Sequence, residues 1–154
     1  PIIRKEMQSF LKVLLMIKRP MRILEVGAAV GFSSILMSEY MPEGGHITTI
    51  ENYDKRIPIA RANFKRAGKE EQIDLIEGDA LEVMHGLEGP YDLIFVDAAK
   101  GQYITFRKLC GFLGQMECLC QIMCCRKVIL LNPDSRWSAG TGLFTAVCGN
   151  ISMS

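Results

Sequence analysis

Two glycines, an acidic residue ahead of them and two serines behind them form the stretch of this sequence best suited to binding a ligand. Glu25, Gly27 and Gly31 follow the order E-x-G-x-x-x-G, and Ser33 and Ser34 come next. Glycines let the backbone turn tightly and approach a ligand where a Cβ would intrude. A helix that begins with a serine cap directs its free N–H groups toward the same point. The pattern predicts a nucleotide-type pocket, with a spacing that differs from the G-x-G-x-x-G of dinucleotide-binding turns.

Acidic residues also follow the later apolar segments of the chain. Glu51 ends a β-branched segment about twenty residues beyond the glycine turn, where an acid can accept hydrogen bonds from ribose hydroxyls. Asp79 and Asp97 follow the next two apolar segments. Ligands of open parallel sheets bind outside the carboxyl ends of the strands. We therefore expect Gly27 and these three acids to lie along one edge of a sheet.

The segments that must position these residues alternate between strand and helix patterns. Short apolar strands are predicted at residues 23–26, 46–50, 73–76 and 91–96. Apolar residues at helical spacing predict a first helix over residues 3–17, a second that runs to residue 40 and a third that ends at Gly68. This alternation predicts an α/β protein with a doubly wound, mostly parallel sheet covered by helices on both faces.

The composition argues against membrane and nucleic-acid-dominated classes. A chain of 154 residues with 49% hydrophobic content is one domain that can bury a core. Its net charge of +1 provides no overall attraction to nucleic acid or to an anionic membrane. The longest apolar run, residues 10–17 interrupted by Lys12, is too short to span a bilayer. The chain begins at Pro1 without a signal peptide, so we expect a cytoplasmic protein truncated at its N-terminus.

Four segments together carry a resemblance to a known family. They read ILEVGAAVGFSS at 23–34, TTIENYDKR at 48–56, EGDALEV at 77–83 and DLIFVDAAKGQY at 92–103. The first resembles the glycine turn of class I S-adenosylmethionine (AdoMet) methyltransferases. The combination resembles the metal-dependent O-methyltransferases of the catechol and caffeoyl-CoA type, in particular their bacterial branch. The resemblance covers the chain to about residue 106 and implies a Rossmann-like sheet with AdoMet as methyl donor.

The resemblance also implies a role for individual residues of the cofactor site. The residues that would hold the methionine and ribose end of AdoMet are Glu25, Gly27, Gly31 and Ser33. Glu51 would bind the ribose hydroxyls, and Asp79 with Ala80 would bracket the adenine.

A metal ion and a base complete the site that the resemblance implies. Asp97 would ligate a divalent cation, usually Mg²⁺, and Lys100 would act as the general base beside the substrate hydroxyl. A hard dication lowers the pKa of a hydroxyl that it binds and fixes its direction. The implied methyl acceptors are small phenolic or catechol-like molecules, or 5-hydroxyuridine in tRNA. The implied assembly is a homodimer, without a membrane partner.

Several of these residues also have a purely structural interpretation. Gly27 and Gly31 could serve the turn alone, Asp79 could cap the helix after the third strand, and Asp97 with Lys100 could form an ion pair. The basic residues between 55 and 69 are explained by a solvated helix face as well as by an RNA surface. A cysteine group could suggest zinc, but its C-x-C and adjacent spacing matches no common zinc site; it comprises Cys118, Cys120, Cys124 and Cys125.

The composition changes abruptly after residue 106. Only two of the 17 acidic residues, Glu117 and Asp134, lie beyond it, together with all six cysteines. The family resemblance implies an Asp-Asn pair on the next strand as further metal ligands, and no such pair follows Phe106. Translating the tail back through the genetic code and shifting by two nucleotides permits SDNVLQEGD from Cys120 onward.

These observations predict two regions in the chain. Residues 1–106 are expected to form the AdoMet-binding domain, and residues 107–154 to be the frameshifted remainder of the same domain. If the tail is native instead, the alternative is a non-catalytic or defective AdoMet-binding protein, because half of the implied metal site is missing.

Overall fold

A computed structural model of the chain describes residue 3, residues 5–96 and two short C-terminal segments, 121–124 and 127–130. The two C-terminal segments are described by their backbone pairing alone. The helices and strands in chain order are α1 (Lys5–Lys18), β1 (Arg22–Val26), α2 (Phe32–Tyr40), β2 (His46–Glu51), α3 (Ile57–Arg66), β3 (Ile73–Glu77), α4 (Ala80–His85), β4 (Leu93–Val96), β5 (Gln121–Cys124) and β6 (Lys127–Leu130).

The strands within the described residues form one sheet in the order β3-β2-β1-β4-β5-β6. Neighbours from β3 to β5 run parallel, and only β6 is antiparallel to its neighbour β5. The chain builds outward from β1 to β3 and then returns to β4 on the other side of β1. The predicted doubly wound, mostly parallel sheet is therefore confirmed, and β5 and β6 extend it beyond the four predicted strands.

Successive residues of β1, β2 and β4 contribute to two different hydrophobic layers. Ile23, Ile47, Ile73 and Phe95 pack in a layer that includes side chains of α1, α2 and α3. The intervening strand residues pack with Met84 of α4 in a second layer; they are Leu24, Val26, Ile50, Ile94 and Val96. Side chains alternate across a strand with a period of two, so a sheet covered on both sides needs apolar residues at every position. This explains why β1 and β4 have no solvent-exposed face.

The first helix covers the sheet with a narrower face than its sequence predicts. Leu11, Leu14 and Leu15 are buried. The helical spacing of the apolar residues in the sequence predicts Phe10 on the same stripe as these leucines, but Phe10 is 40% exposed. Each residue advances about 100° around a helix, so Phe10 lies at the border of the face centred on Leu11. The prediction that Phe10 belongs to the core stripe is wrong for this reason.

Candidate cofactor-binding site

The predicted site residues that the structure describes follow the carboxyl ends of neighbouring strands. Gly27 comes directly after β1, and Glu51 is the last residue of β2. The backbone N–H groups of Gly27 and Ala28 both donate to the carbonyl of Ile50, at 2.9 and 3.1 Å. The glycine turn is thereby fixed to the end of β2. It lies at the reversal of strand order, where open α/β sheets form a crevice for ligands.

Three residues of the turn adopt the left-handed region of backbone conformation. Gly27 has a φ of 98° and Gly31 a φ of 82°, and Ala29 between them has a φ of 49°. Glycine adopts this region freely, whereas an alanine there costs roughly 1–2 kcal/mol. The Ala29 N–H donates to Glu51 Oε2 at 2.7 Å. This contact helps to hold a conformation that Ala29 would not favour alone.

Gly31 is required for internal packing. A Cβ at this position would lie 2.5 Å from Cε1 of Phe64, a side chain of α3. The sequence predicted instead that a Cβ here would intrude on a ligand. The close approach is between α3 and the turn, so the structure supplies a different reason for this glycine.

Ser33 and Ser34 lie within the first turn of α2 and do not cap it. Gly31 occupies the cap position, without a side-chain hydrogen bond, so the predicted serine cap is wrong. Both serine hydroxyls donate to the Glu25 carboxylate instead, Ser33 to Oε1 and Ser34 to Oε2. A hydroxyl forms a stronger hydrogen bond with a carboxylate than with a neutral acceptor. Both hydroxyls therefore bond to Glu25 of β1, and the two serines lie inside the helix and not at its cap position.

Glu25 is fully buried, with 0% exposure, and Thr49 Oγ1 donates to its Oε2 at 2.6 Å. Glu25 and Thr49 are direct neighbours in the pairing of β1 with β2. Thr49 was not identified from the sequence. The sequence did offer one signal. Side chains alternate between the two faces of a strand, so Thr49, two residues before Glu51, lies on the same face of β2 as Glu51.

Glu51 is held by backbone donors on both of its carboxylate oxygens. Oε2 accepts from Ala29 as described, and Oε1 accepts from the N–H groups of Asn52 and Tyr53, at 3.1 and 3.0 Å. The side chain is 6% exposed. A carboxylate held by several N–H groups keeps its orientation. That is the property required of an acid that accepts hydrogen bonds from a pair of ribose hydroxyls.

Asp79 is the N-cap of α4, as its structural interpretation predicted. Its Oδ1 accepts from the N–H groups of Leu81 and Glu82, at 2.9 and 3.4 Å. The side chain is exposed, and Ala80 begins the helix. The end of β3 is connected to the site because Gly78 N donates to the Glu51 carbonyl at 3.0 Å. Asp79 therefore lies one strand farther from the glycine turn, and its adenine role stays a prediction.

The catalytic and metal-binding predictions, Lys100 and Asp97, lie outside the described residues. β4 ends at Val96, paired with Val26 immediately before the glycine turn. Among the residues whose side chains the structure describes, no group of three His, Cys, Asp or Glu is arranged to hold a metal ion. The metal site thus rests on the sequence alone.

The structure brings five of the predicted residues together in one unit at the ends of β1 and β2, built from two hydrogen-bonded groups. Glu51 reaches the glycine turn through Ala29, and Glu25 reaches α2 through the serines. This arrangement has the features of an AdoMet site: a turn that carries little side-chain bulk, the N-terminus of a helix, and a fixed acid on the adjacent strand. The residues of the unit are Glu25, Gly27, Gly31, Ser33 and Glu51.

Comparison with known proteins agrees with this geometry. The chain is 34% identical over 102 residues to a catechol O-methyltransferase of Niastella koreensis, a match that covers 64% of this chain and 46% of that protein. It is also 34% identical over 110 residues to a caffeoyl-CoA O-methyltransferase of Medicago sativa, covering 65% and 43%. The SAH-bound crystal structure of a methyltransferase from Podospora anserina superimposes with a TM-score of 0.72 at 32% identity, over 80% of this chain and 53% of that one.

The chain spans about half the length of these relatives. The sequence profile of the O-methyltransferase family matches residues 2–122, well over half of the chain and past residue 106, where the resemblance was expected to end. A match of this extent, together with the structural similarity to the SAH-bound methyltransferase, confirms the resemblance predicted from the four sequence segments. The chain belongs to the O-methyltransferase family.

Proposed function

We propose that the chain binds AdoMet at the ends of β1 and β2 and transfers its methyl group to a hydroxyl oxygen. The observation that carries this proposal is the Glu51 carboxylate, which is fixed by three backbone N–H groups beside the glycine turn. Glu25, Gly27, Gly31 and Ser33 would surround the methionine and ribose end of AdoMet. Asp79 and Ala80 would face the adenine.

The transfer needs a nucleophile in line with the sulfonium methyl group. The hydroxyl oxygen forms a bond to the methyl carbon while the carbon–sulfur bond breaks, and its electron pair neutralises the sulfur, giving S-adenosylhomocysteine. The hydroxyl proton must pass to a base, and we propose Lys100 for this role. A Mg²⁺ or similar divalent cation ligated by Asp97 would lower the pKa of the hydroxyl when bound. Replacing Asp97 with alanine should abolish metal-dependent turnover, and turnover that ignores added Mg²⁺ would contradict the metal assignment.

For the methyl acceptor we propose a small phenolic or catechol-like molecule. The relatives named catechol and caffeoyl-CoA O-methyltransferases support this class. A hydroxyuridine of tRNA is the second candidate, supported by the segment DAAKGQY in the sequence. Methyl transfer from AdoMet labelled in its methyl group, measured in parallel with catechol and with hydroxyuridine-containing tRNA, distinguishes the two.

AdoMet binding is tested by titration calorimetry on the full chain and on Glu51→Gln. The amide oxygen of glutamine is a weaker acceptor for the ribose hydroxyls, and the amide NH₂ would face backbone N–H donors. We therefore expect the affinity for AdoMet to fall about tenfold to a hundredfold. Glu39→Gln is the matched control. Glu39 lies on α2, is 56% exposed and pairs with Lys69, so this change removes the same charge away from the site. Equal affinity of the two variants would contradict the ribose role of Glu51.

A second candidate function is AdoMet binding without catalysis. The sequence after Phe106 contains no Asp-Asn pair, so half of the expected metal site is missing from the chain. This function predicts that the chain binds AdoMet but transfers no methyl group to either acceptor. Measurable transfer by the 154-residue chain would exclude it.

The cellular setting and assembly are also proposals. None of the helices described is long and apolar enough to cross a membrane. We propose a cytoplasmic location. We also propose a homodimer, and sedimentation equilibrium of the purified chain would test this assembly state.

A further inference from the structure

The Glu25 carboxylate is surrounded by three hydroxyl donors from two elements of the fold. Thr49 of β2 and Ser34 of α2 both donate to Oε2, and Ser33 of α2 donates to Oε1. Glu25, Ser34 and Thr49 each have 0% exposure, and Ser33 has 6%. Glu25 lies two residues before Gly27, the start of the proposed AdoMet turn.

Stability alone does not account for this polar group. β1 and β2 are already paired along their backbones, and the preceding residues of the same faces, Ile23 and Ile47, belong to the apolar core. Replacing both partners of a buried hydrogen bond by apolar groups of the same shape can be nearly neutral for stability. Such a group in the interior, next to a binding turn, instead suggests that the orientation of one side chain matters.

We propose that Ser34 and Thr49 are positioning residues for the methionine portion of AdoMet. Their two hydroxyls fix Oε2 of Glu25, and the fixed carboxylate holds the Ser33 hydroxyl at the start of α2, where the methionine portion would lie. This inference rests on the proposed function, and nothing else in the comparisons or in the family resemblance assigns a role to Ser34 or Thr49.

The positioning effect should be specific to one end of the cofactor. Glu51, proposed for the ribose, is held by Ala29, Asn52 and Tyr53 and shares none of these bonds with the Glu25 group. Loss of the Thr49 or Ser34 hydroxyl would release the carboxylate and the Ser33 hydroxyl while leaving the Glu51 contacts in place. The affinity for a ligand that lacks the methionine portion should therefore stay the same.

Titration calorimetry of the full chain with two ligands tests this directly. S-adenosylhomocysteine carries the amino-acid portion, and 5′-methylthioadenosine lacks it. We expect Thr49→Val and Ser34→Ala to lower the affinity for S-adenosylhomocysteine about tenfold. The affinity for 5′-methylthioadenosine should change by less than about twofold. Thr49→Ser, which keeps the hydroxyl, should bind both ligands like the unmodified chain.

Thr48→Val is the matched control. Thr48 is 9% exposed and is the adjacent residue of β2, so its side chain points to the opposite face of the sheet from Thr49. It should change neither affinity, and thermal unfolding of every variant identifies any that fail to fold. If Thr49→Val does not fold, Ser34→Ala carries the same comparison with a smaller change of shape.

The outcomes separate this inference from the proposed function. If the unmodified chain binds both ligands, and the variants either bind like it or lose affinity for both ligands equally, the positioning role is overturned and the proposed function stands. If the unmodified chain binds neither ligand, both are overturned. Selective loss of S-adenosylhomocysteine, restored in Thr49→Ser, supports the positioning role.

Discussion

At the scale of single residues, Gly31 shows how one position serves two requirements. Its φ of 82° is one that side chains rarely adopt. The ring of Phe64 also occupies the space where a Cβ would be. The two requirements reinforce each other, because the left-handed turn brings the start of α2 close to α3. The turn that would receive AdoMet is therefore also part of the core.

Gly31→Ala should destabilise the protein by about 2–4 kcal/mol, the sum of a left-handed alanine and an overpacked contact. Gly68→Ala is the control for the backbone term, because Gly68 has a φ of 64° and no atom within 4 Å of its would-be Cβ. It should cost only about 1–2 kcal/mol. Urea unfolding measures both free energies, and equal losses would show that the Phe64 contact is accommodated at no cost.

At the scale of elements, α4 depends on the residue that is also proposed to face the adenine. This helix has only six residues, and Asp79 satisfies two of its first N–H groups. A helix this short gains little from its own hydrogen bonds. The cap therefore decides where α4 begins and how Ala80 is presented at the end of β3.

Substitution of Asp79 can separate the two roles. Asp79→Ala should lower the free energy of unfolding by about 1 kcal/mol through loss of the cap, whereas Asp79→Ser should keep the cap. If the carboxylate also contacts adenine, Asp79→Ser should still lower AdoMet affinity about tenfold, because a hydrogen bond to a charged acceptor is lost. Calorimetry of both variants measures the AdoMet affinity, and urea unfolding measures the free energy of unfolding. Unchanged affinity in Asp79→Ser would restrict Asp79 to capping.

The sequence predicted the strands of this fold better than the side-chain contacts at their ends. β1 to β4 were predictable because each is a short apolar segment followed by a glycine or an acid, a pattern that local sequence carries. The start of α2 was not, because Ser33 and Ser34 bond to Glu25, a partner eight or nine residues away. Thr49 was missed for the same reason, since its role depends on which strand lies beside β1. A single sequence shows which residues of a strand share a face, but it does not show which strands lie next to each other.

At the scale of the whole molecule, the edge of the sheet beyond β4 bears on the proposed frameshift. β5 pairs in parallel with β4 and spans Gln121–Cys124. In the shifted frame, the codons for the Asp-Asn pair overlap those of Gln121, Ile122 and Met123. The expected metal ligands would thus be encoded at the strand next to β4, whose last residue precedes Asp97. We propose on this basis that residues 107–154 are a frameshifted remainder of the domain.

Sequencing the coding DNA from the Asp97 codon onward tests this proposal, and we expect the frame shifted by two nucleotides to read SDNVLQ. A chain expressed in that frame should transfer methyl groups in the presence of Mg²⁺ and lose this activity with a chelator, because it regains the two oxygen ligands that Asp97 lacks. The 154-residue chain is the matched comparison, and its metal-dependent transfer should be slower, because Asp97 there lacks the two further ligands. If the shifted frame does not encode the Asp-Asn pair, the tail is native. Asp97 then lacks partner ligands, and AdoMet binding without a metal becomes the better account of the chain.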